Sequence, residues 1–278
     1  MVRGQAFTSM SRYFWPREAR VWDPDQYQRF GDERSRPFFD LLGRVGARAP
    51  GAVADLGCGP GTLTATLAAR WPEAEILGID SSAEMIEAAR ALPPSAGRLR
   101  FALGDVRDWK PEGRVDVIVS NAVLQWVPDH LTVLRRWAGF LAGGGWLAFQ
   151  VPGNFDQPSH AALRELAASD RWRDLLADVE LNRQAADPGT YVDLLARAGF
   201  EVEAWETTYL HVLHGDNPVL DWYRGTGLRP VMAALSPGQT AEFLADYGAR
   251  MAQAYPAAPY GTVFPFRRVF VVAVRGTI

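Results

Sequence analysis

The sequence predicts an α/β fold: an open, mostly parallel sheet of seven strands, with helices on both faces and a helical insertion in the C-terminal half. Three observations carry it. Short apolar runs alternate with stretches of helical period through residue 151, and that alternation builds parallel strands joined by crossover helices. The first run, 52–56, breaks into Gly57-Cys58-Gly59-Pro60-Gly61 and passes at once into a helical stretch. The second run, 75–80, ends on an acid, Asp80, at the edge where ligands of such sheets bind.

Residues 1–21 hold Arg3, Arg12, Arg17 and Arg20 without a clean period. They read as a loosely attached, poorly ordered extension; an Arg-rich targeting peptide is the sharper alternative. Organised chain begins at Trp22-Asp23-Pro24-Asp25-Gln26-Tyr27, with Asp23 or Asp25 as helix cap. Tyr27, Phe30, Arg34, Phe38, Leu41 and Leu42 recur at helical spacing, with Pro37 as a kink. The first strand, 52–56, leads to a helix over 63–70. After the second strand, Ser81 or Ser82 caps a helix that runs to Leu92, and Pro93-Pro94 stops it. A third strand, 99–103, ends at Gly104-Asp105-Val106, and a β-branched fourth covers 115–120. Asp129 caps a helix to about Leu141, the glycines at 143–145 end it, and 146–151 is the fifth strand.

Beyond it, 159–169 reads as a helix, a less regular stretch follows, and a helix over 191–198 closes at Gly199. A long sixth strand spans 200–213, two or three helices fill 217–255, and the last strand covers 269–274. Residues 22–278 are expected to form one domain, with 153–200 and 215–257 as substrate-side insertions that cover the ligand edge as a lid. No internal repeat or low-complexity linker interrupts it.

With 278 residues the chain is long enough to bury a large core, and 48% hydrophobic against 22% charged residues is ordinary for a globular protein. A net charge of −3 gives no reason to expect nucleic acid, which usually demands a basic face. The single cysteine, Cys58, excludes an intrachain disulfide and suits a reducing compartment. No apolar run approaches a membrane span, and residues 1–20 lack the apolar core of a secretory signal. A cytoplasmic protein without a membrane or nucleic-acid partner is expected.

A strand turning through glycines into a helix brings bare backbone N–H groups, and a helix N-terminus, to the mouth of the sheet. Alone, this is also how a tight turn without a ligand looks. Asp80, 25 residues after Asp55, stands where a carboxylate accepts both hydroxyls of a ribose. A dinucleotide loop wants its third glycine at position 62, which is Thr62; Gly61 comes one place early and Pro60 stiffens the turn. That argues against a pyrophosphate site and leaves S-adenosylmethionine as the competing nucleotide. Asp105 followed by Val106 suits an adenine amino group and its ring, or is simply a capping acid. Gly57–Gly61, Asp80, Asp105 and Asn121 all converge on the carboxyl ends of the strands.

At Asp55-Leu56-Gly57-Cys58-Gly59-Pro60-Gly61, at Asp80 and at Gly104-Asp105, the chain resembles the class I S-adenosylmethionine-dependent methyltransferases, whose sheet is Rossmann-like. Trp22-Asp23-Pro24 with Tyr27, Arg34-Ser35-Arg36-Pro37 and Leu124-Gln125-Trp126-Val127-Pro128-Asp129-His130 narrow the likeness. With Thr207-Thr208-Tyr209 and His211, Thr226-Gly227-Leu228-Arg229-Pro230 and Phe266-Arg267-Arg268, they resemble the trans-aconitate 2-methyltransferase family over about residues 22–275. The resemblance implies S-adenosylmethionine as cofactor, held by Asp55, Gly57, Gly59 and Gly61, by Asp80, Ser81 and Met85, and by Asp105, Val106 and Asn121. It also implies a small tricarboxylate acceptor, methylated on one carboxylate to a monomethyl ester.

Such an acceptor is ionised at neutral pH, so the expectation is catalysis by alignment, with no general base and no metal. Its other carboxylates call for arginine, whose planar fork matches them. Arg34, Arg229 and Arg268 are the expected anchors, with Tyr27, Gln125, Tyr209 and His211 beside them and Trp126 as a pocket wall. Arg36, Arg224 and Arg267, and the neutral His130 and Tyr260, are further candidates. The plainer reading of any one arginine is a surface ion pair. His130, after a capping Asp, reads more readily as a first-turn helix residue, and His211 equally as a buried, satisfied histidine. Cys58 reads as a small apolar residue of the turn. Two other functions stay open: an O- or N-methyltransferase for another metabolite, which needs a base, and a cofactor-binding module without turnover.

Overall fold

The computed structural model describes residues 31–93, 98–181 and 185–277, apart from the side chains of 31–34. The extension, the caps Asp23 and Asp25, Tyr27 and the side chain of Arg34 lie outside the described residues. Helix α1 (Gly31–Leu42) carries Pro37 within it and buries Phe38, Leu41 and Leu42.

The chain then alternates as expected. It runs through β1 (Ala52–Leu56), α2 (Thr62–Arg70), β2 (Glu75–Asp80), α3 (Ala83–Arg90), β3 (Arg98–Leu103), β4 (Val115–Asn121), α4 (His130–Phe140) and β5 (Leu141–Pro152). These five strands are mutually parallel. After α5 (Pro158–Ala167) and α6 (Pro188–Ala196), β6 (Phe200–Leu213) forms the far edge. Helices α7 (Pro218–Arg224), α8 (Arg229–Ala234) and α9 (Pro237–Ala254) follow, then the two-residue β7 (Ala257–Ala258) and β8 (Gly261–Arg275). The order is β3-β2-β1-β4-β5-β8-β6, with β8 antiparallel to both neighbours and β7 paired to it outside that path. The seven expected strands are present, and β7 is an eighth. Between β1 and β4 the chain reverses its direction across the sheet, which opens a crevice at their carboxyl ends.

Two strand starts and one helix cap differ from the sequence expectation. The glycines at 143–145 do not separate α4 from a later strand; β5 begins directly at Leu141. Val115 pairs with Leu141 and Val117 with Trp146, so the glycines are absorbed in an irregular bulge. Asp129 is the N-cap of α4 by position, yet it sits at φ 52° and its side chain makes no capping bond. The last strand starts eight residues earlier than its apolar run at 269, because Thr262, Phe264 and Phe266 continue the buried alternation past Pro265. Proline is tolerated there because β8 has by then lost β5 and has an open edge.

That extension shapes the molecule. Pairing of β5 with β8 stops at Pro152 opposite Arg268, whereas β6 and β8 stay paired for six further rungs, to Leu213 opposite Thr262. A two-stranded ribbon therefore projects past the sheet edge by roughly 20 Å at 3.3 Å per residue. Helices α5, α7, α8 and α9 pack on it through a separate apolar cluster that includes Leu163, Trp222, Phe243, Tyr247, Phe264 and Phe266. The sheet itself is sandwiched: Trp137, Phe149, Tyr191 and Val271 fill one face, and Phe38, Leu67, Val119, Ala148 and Phe270 the other. By the two-residue period of a strand, Asp55, Asp80, Asn121, Gln150 and Arg268 all point to this second face.

Candidate functional site

The glycine turn is built at the carboxyl end of β1. Gly57, Gly59 and Gly61 have φ of 86°, 56° and 78°, a region costly for any residue with a Cβ. Their surroundings separate their roles. A Cβ on Gly57 would lie 2.1 Å from Val123 Cγ2, and one on Gly61 2.6 Å from Phe101 Cζ; one on Gly59 meets nothing within 4 Å. Gly57 and Gly61 thus permit close packing behind the loop, while Gly59 faces open space. The turn is pinned by Gly57 N–H and Cys58 N–H donating to Ile79 O at 2.8 and 2.9 Å.

Asp80 ties the turn to the next helix. Its Oδ2 accepts from Gly59 N–H and its Oδ1 from Ser82 N–H, each at 2.9 Å. Each oxygen keeps a lone pair, so the carboxylate holds the loop and still has capacity for two hydroxyls. Of the two possible caps, Ser82 is the one used: its Oγ accepts from Met85 N–H. Ser81 is exposed at the rim, and Met85 is buried. Asp55 is only 2% exposed, under the loop, where its Oδ2 accepts from Thr64 Oγ1 at 2.6 Å. Burial, aided by the charge of Asp80, pushes its carboxyl up to about 7. Burial also raises the Cys58 thiol, which suits an inert packing residue. Asp105 grips Arg107, whose Nη2 reaches Oδ2 at 2.6 Å and whose Nε is 3.0 Å from both oxygens. Val106 joins the apolar core, and its carbonyl accepts from Trp137 Nε1.

Between β4 and α4 the backbone is strained at both ends: Ala122 and Asp129 are the two non-glycine residues with positive φ among the described residues. The segment they bracket turns Gln125 inward and leaves Trp126 43% exposed. Gln125 Nε2 donates to Ala122 O, and its Oε1 is buried without a partner. His130 is taken up by the fold, with Nε2 3.0 Å from the fully buried Tyr191 hydroxyl.

The arginines divide sharply. Arg267 points to the opposite face from Arg268 and is held by Gly153 O and Glu206. Arg224 lies within 4.0 Å of Asp221 on an exposed helix turn. Arg36 lies over the Tyr209 ring, and Tyr209 donates its hydroxyl to Asp40 at 2.6 Å. Arg229 is half-buried at the start of α8. Arg268, at the last rung shared by β5 and β8, is 4% exposed. Its Nη1 donates to Gln150 Oε1 at 3.2 Å, and its guanidinium lies 4.5 Å from the Phe266 ring centre.

His211, on the projecting ribbon, is stacked between Tyr209 and Trp222 at 5.9 and 5.3 Å. Burial, with the positive charges of Arg268 and Arg36, pushes it down to about 4, so it is neutral at pH 7, and its Nε2 is buried without a partner. Tyr260 is 63% exposed, far along the ribbon beside β7. Three residues absent from the sequence reading belong to this neighbourhood. Gln150 is a lone buried amide in an apolar strand; Asn154, fully buried just past β5, has Oδ1 without a partner; and Trp222 walls His211. The one signal for Gln150 was its polarity within Leu147-Ala148-Phe149-Gln150-Val151. Among the described residues, no three of His, Cys, Asp and Glu cluster as metal ligands would, and no helix is long and apolar enough to cross a membrane.

Comparison with known proteins gives the chain's relatives and its fold. A family model described as a methyltransferase domain matches residues 53–145, from β1 into β5. The chain is 53% identical to trans-aconitate 2-methyltransferase of Streptomyces avermitilis, covering 93% of this chain and 98% of that one. It is equally 53% identical to the enzyme of that name from Rhodococcus jostii, covering 91% and 99%. Among solved structures, phosphoethanolamine N-methyltransferase 2 of Haemonchus contortus, in complex with S-adenosyl-L-methionine, superimposes with a TM-score of 0.52. It is 15% identical, covers 87% of this chain and 52% of its own, and shares the fold.

Proposed function

The chain belongs to the trans-aconitate 2-methyltransferase family, and from that premise we propose that it transfers a methyl group from S-adenosylmethionine to one carboxylate of trans-aconitate, giving the monomethyl ester. The observation that carries this reading is Arg268: a guanidinium buried to 4% exposure where β8 leaves the sheet, on the same face as Asp80 and the glycine turn. The residues at the crevice fit the cofactor. The open space in front of Gly59 admits a ligand against bare backbone, and Asp80 retains two acceptor sites for ribose hydroxyls. Ser81, Met85, Asp105 and Val106 complete that side.

When bound, S-adenosylmethionine supplies an electrophilic methyl on a sulfonium. The acceptor oxygen is already ionised at pH 7, so no side chain has to move a proton, and the work of the chain is alignment. Arg268 and neutral His211 fix carboxylates by donating N–H bonds, with Arg229, Arg34, Tyr27 and Tyr209 as further acceptor-binding residues. Gln125 and Trp126 border the reacting carboxylate from the strained turn. Helices α5, α7, α8 and α9, seated on the ribbon, close the site and exclude water, whereas α6 packs through Tyr191 and Leu195 on the sheet's other face. No metal enters this scheme, and turnover should survive a chelator. The test is a panel of trans-aconitate, cis-aconitate, citrate, isopropylmalate and a neutral hydroxyl acceptor with labelled cofactor. Preferred labelling of trans-aconitate, released as a base-labile ester, is expected. Labelling of the neutral acceptor alone overturns the reading.

A further inference from the structure

Gln150 is 1% exposed, flanked along β5 by Phe149 and Val151, which are fully buried. An amide in that position is costly unless bonded on both sides. It is bonded on both sides, and the chemistry of the partners sets its direction. Arginine has no acceptor, so the amide oxygen must be the atom facing Arg268, at 3.2 Å. Nε2 then faces β4 and donates to Asn121 Oδ1 at 2.6 Å. That bond takes the acceptor end of Asn121 and leaves its Nδ2, which has no hydrogen-bond partner among the described residues. Register places the relay in one line: Asn121 is opposite Gln150, Gln150 is opposite Phe270, and Arg268 lies two residues from Phe270 on the same face. The polarity of Arg268 is thus carried across two strands to Asn121, whose Nδ2 is the donor left at the β4 end of the relay.

An N–H donor at that end suits a carboxylate and opposes the cationic sulfonium end of the cofactor. Resting on the carboxylate-acceptor reading above, we propose that Asn121 donates its Nδ2 to a carboxylate of the acceptor, and that Gln150 is the positioning residue that aims it there. This moves Asn121 from the cofactor side, where the sequence put it, to the acceptor side. The cofactor carries a carboxylate of its own, so the two sources must be told apart.

The experiment uses the full chain and compares wild type with Asn121→Ala, Asn121→Asp and Gln150→Glu. Trans-aconitate KM and kcat are measured at saturating cofactor, and S-adenosylmethionine Kd by calorimetry. Asn121→Ala should raise the acceptor KM roughly 10- to 100-fold, the range for losing a hydrogen bond to a charged group. Asn121→Asp, which still accepts from Gln150 and now repels the acceptor, should raise it more, with cofactor Kd within about 2-fold of wild type. Gln150→Glu turns Arg268 and Asn121 Nδ2 toward itself; adding Asn121→Ala to it should then cost nothing further in KM, a non-additivity that a merely structural residue does not produce. Asn121 is half-buried, so its variants keep the test open if Gln150→Glu does not fold. A rise in cofactor Kd matching the rise in acceptor KM would assign Asn121 to the cofactor's carboxylate and overturn the proposal, as would a wild-type KM in Asn121→Asp. Wild type failing to methylate trans-aconitate would instead remove the reading on which the proposal rests.

Discussion

Replacing Gly59 and Gly61 by alanine separates a ligand-facing glycine from a packing one. Both have positive φ, so each substitution places a Cβ in the left-handed region, at about 1–2 kcal/mol. Nothing more is charged to Gly59→Ala in the free protein, since its Cβ meets no atom within 4 Å. Gly61→Ala also drives a Cβ to 2.6 Å from Phe101 Cζ and 2.8 Å from Ala89 Cβ. Ala89 is buried on α3, so the neighbour yields poorly, and overpacking of this kind adds about 1–3 kcal/mol. The expected losses are then about 1–2 kcal/mol for Gly59→Ala and about 2–5 kcal/mol for Gly61→Ala. At roughly 2–4 °C per kcal/mol for a chain approaching this size, the first variant should melt a few degrees below wild type and the second considerably lower. Cofactor affinity should run the other way. The methyl of Gly59→Ala fills the space read as the cofactor's, so calorimetry should show at least a tenfold weaker Kd despite the milder melting shift. Wild-type S-adenosylmethionine affinity in Gly59→Ala refutes the placement, and so does a larger stability loss than in Gly61→Ala.

Asp80→Ala should weaken cofactor binding by about 1–3 kcal/mol, with NAD binding absent in wild type; unchanged S-adenosylmethionine affinity in a folded variant contradicts the ribose assignment. Arg268→Gln should raise the trans-aconitate KM by about 100-fold with a smaller loss of kcat, and Arg268→Lys should restore only part, because the fork is gone; steady-state kinetics decide it. Asp55 has a folded pKa of about 7, raised above its unfolded value, so the folded state binds more protons than the unfolded one between about pH 4 and pH 7. Its contribution is complete below that window and is lost as pH rises through it, at up to about 1.4 kcal/mol per pH unit. Asp55→Asn should therefore be more stable than wild type at pH 8 and similar to it at pH 4 in urea melts; a pH-independent difference speaks against a buried, protonated Asp55.

The sequence by itself determined the sheet. Runs such as 52–56, 75–80 and 200–213 are apolar or alternating over a strand's length, and the strands found there keep those bounds because burial of a local pattern is a local property. It also determined the glycine turn and Asp80, which lie on consecutive elements joined by a short crossover. Tertiary structure decided which glycine faces open space and which packs on Phe101, since φ and a distant side chain set that together. It decided that Arg267 is neutralised by Glu206 while Arg268, one residue on, turns to the other face under Gln150. And it decided the relay from Arg268 to Asn121, whose three members lie on three different strands, 29 and 118 residues apart in the pairs that touch. No local pattern records such contacts. Their polarity follows only once strand register sets a donor-only guanidinium beside an amide that must choose an end.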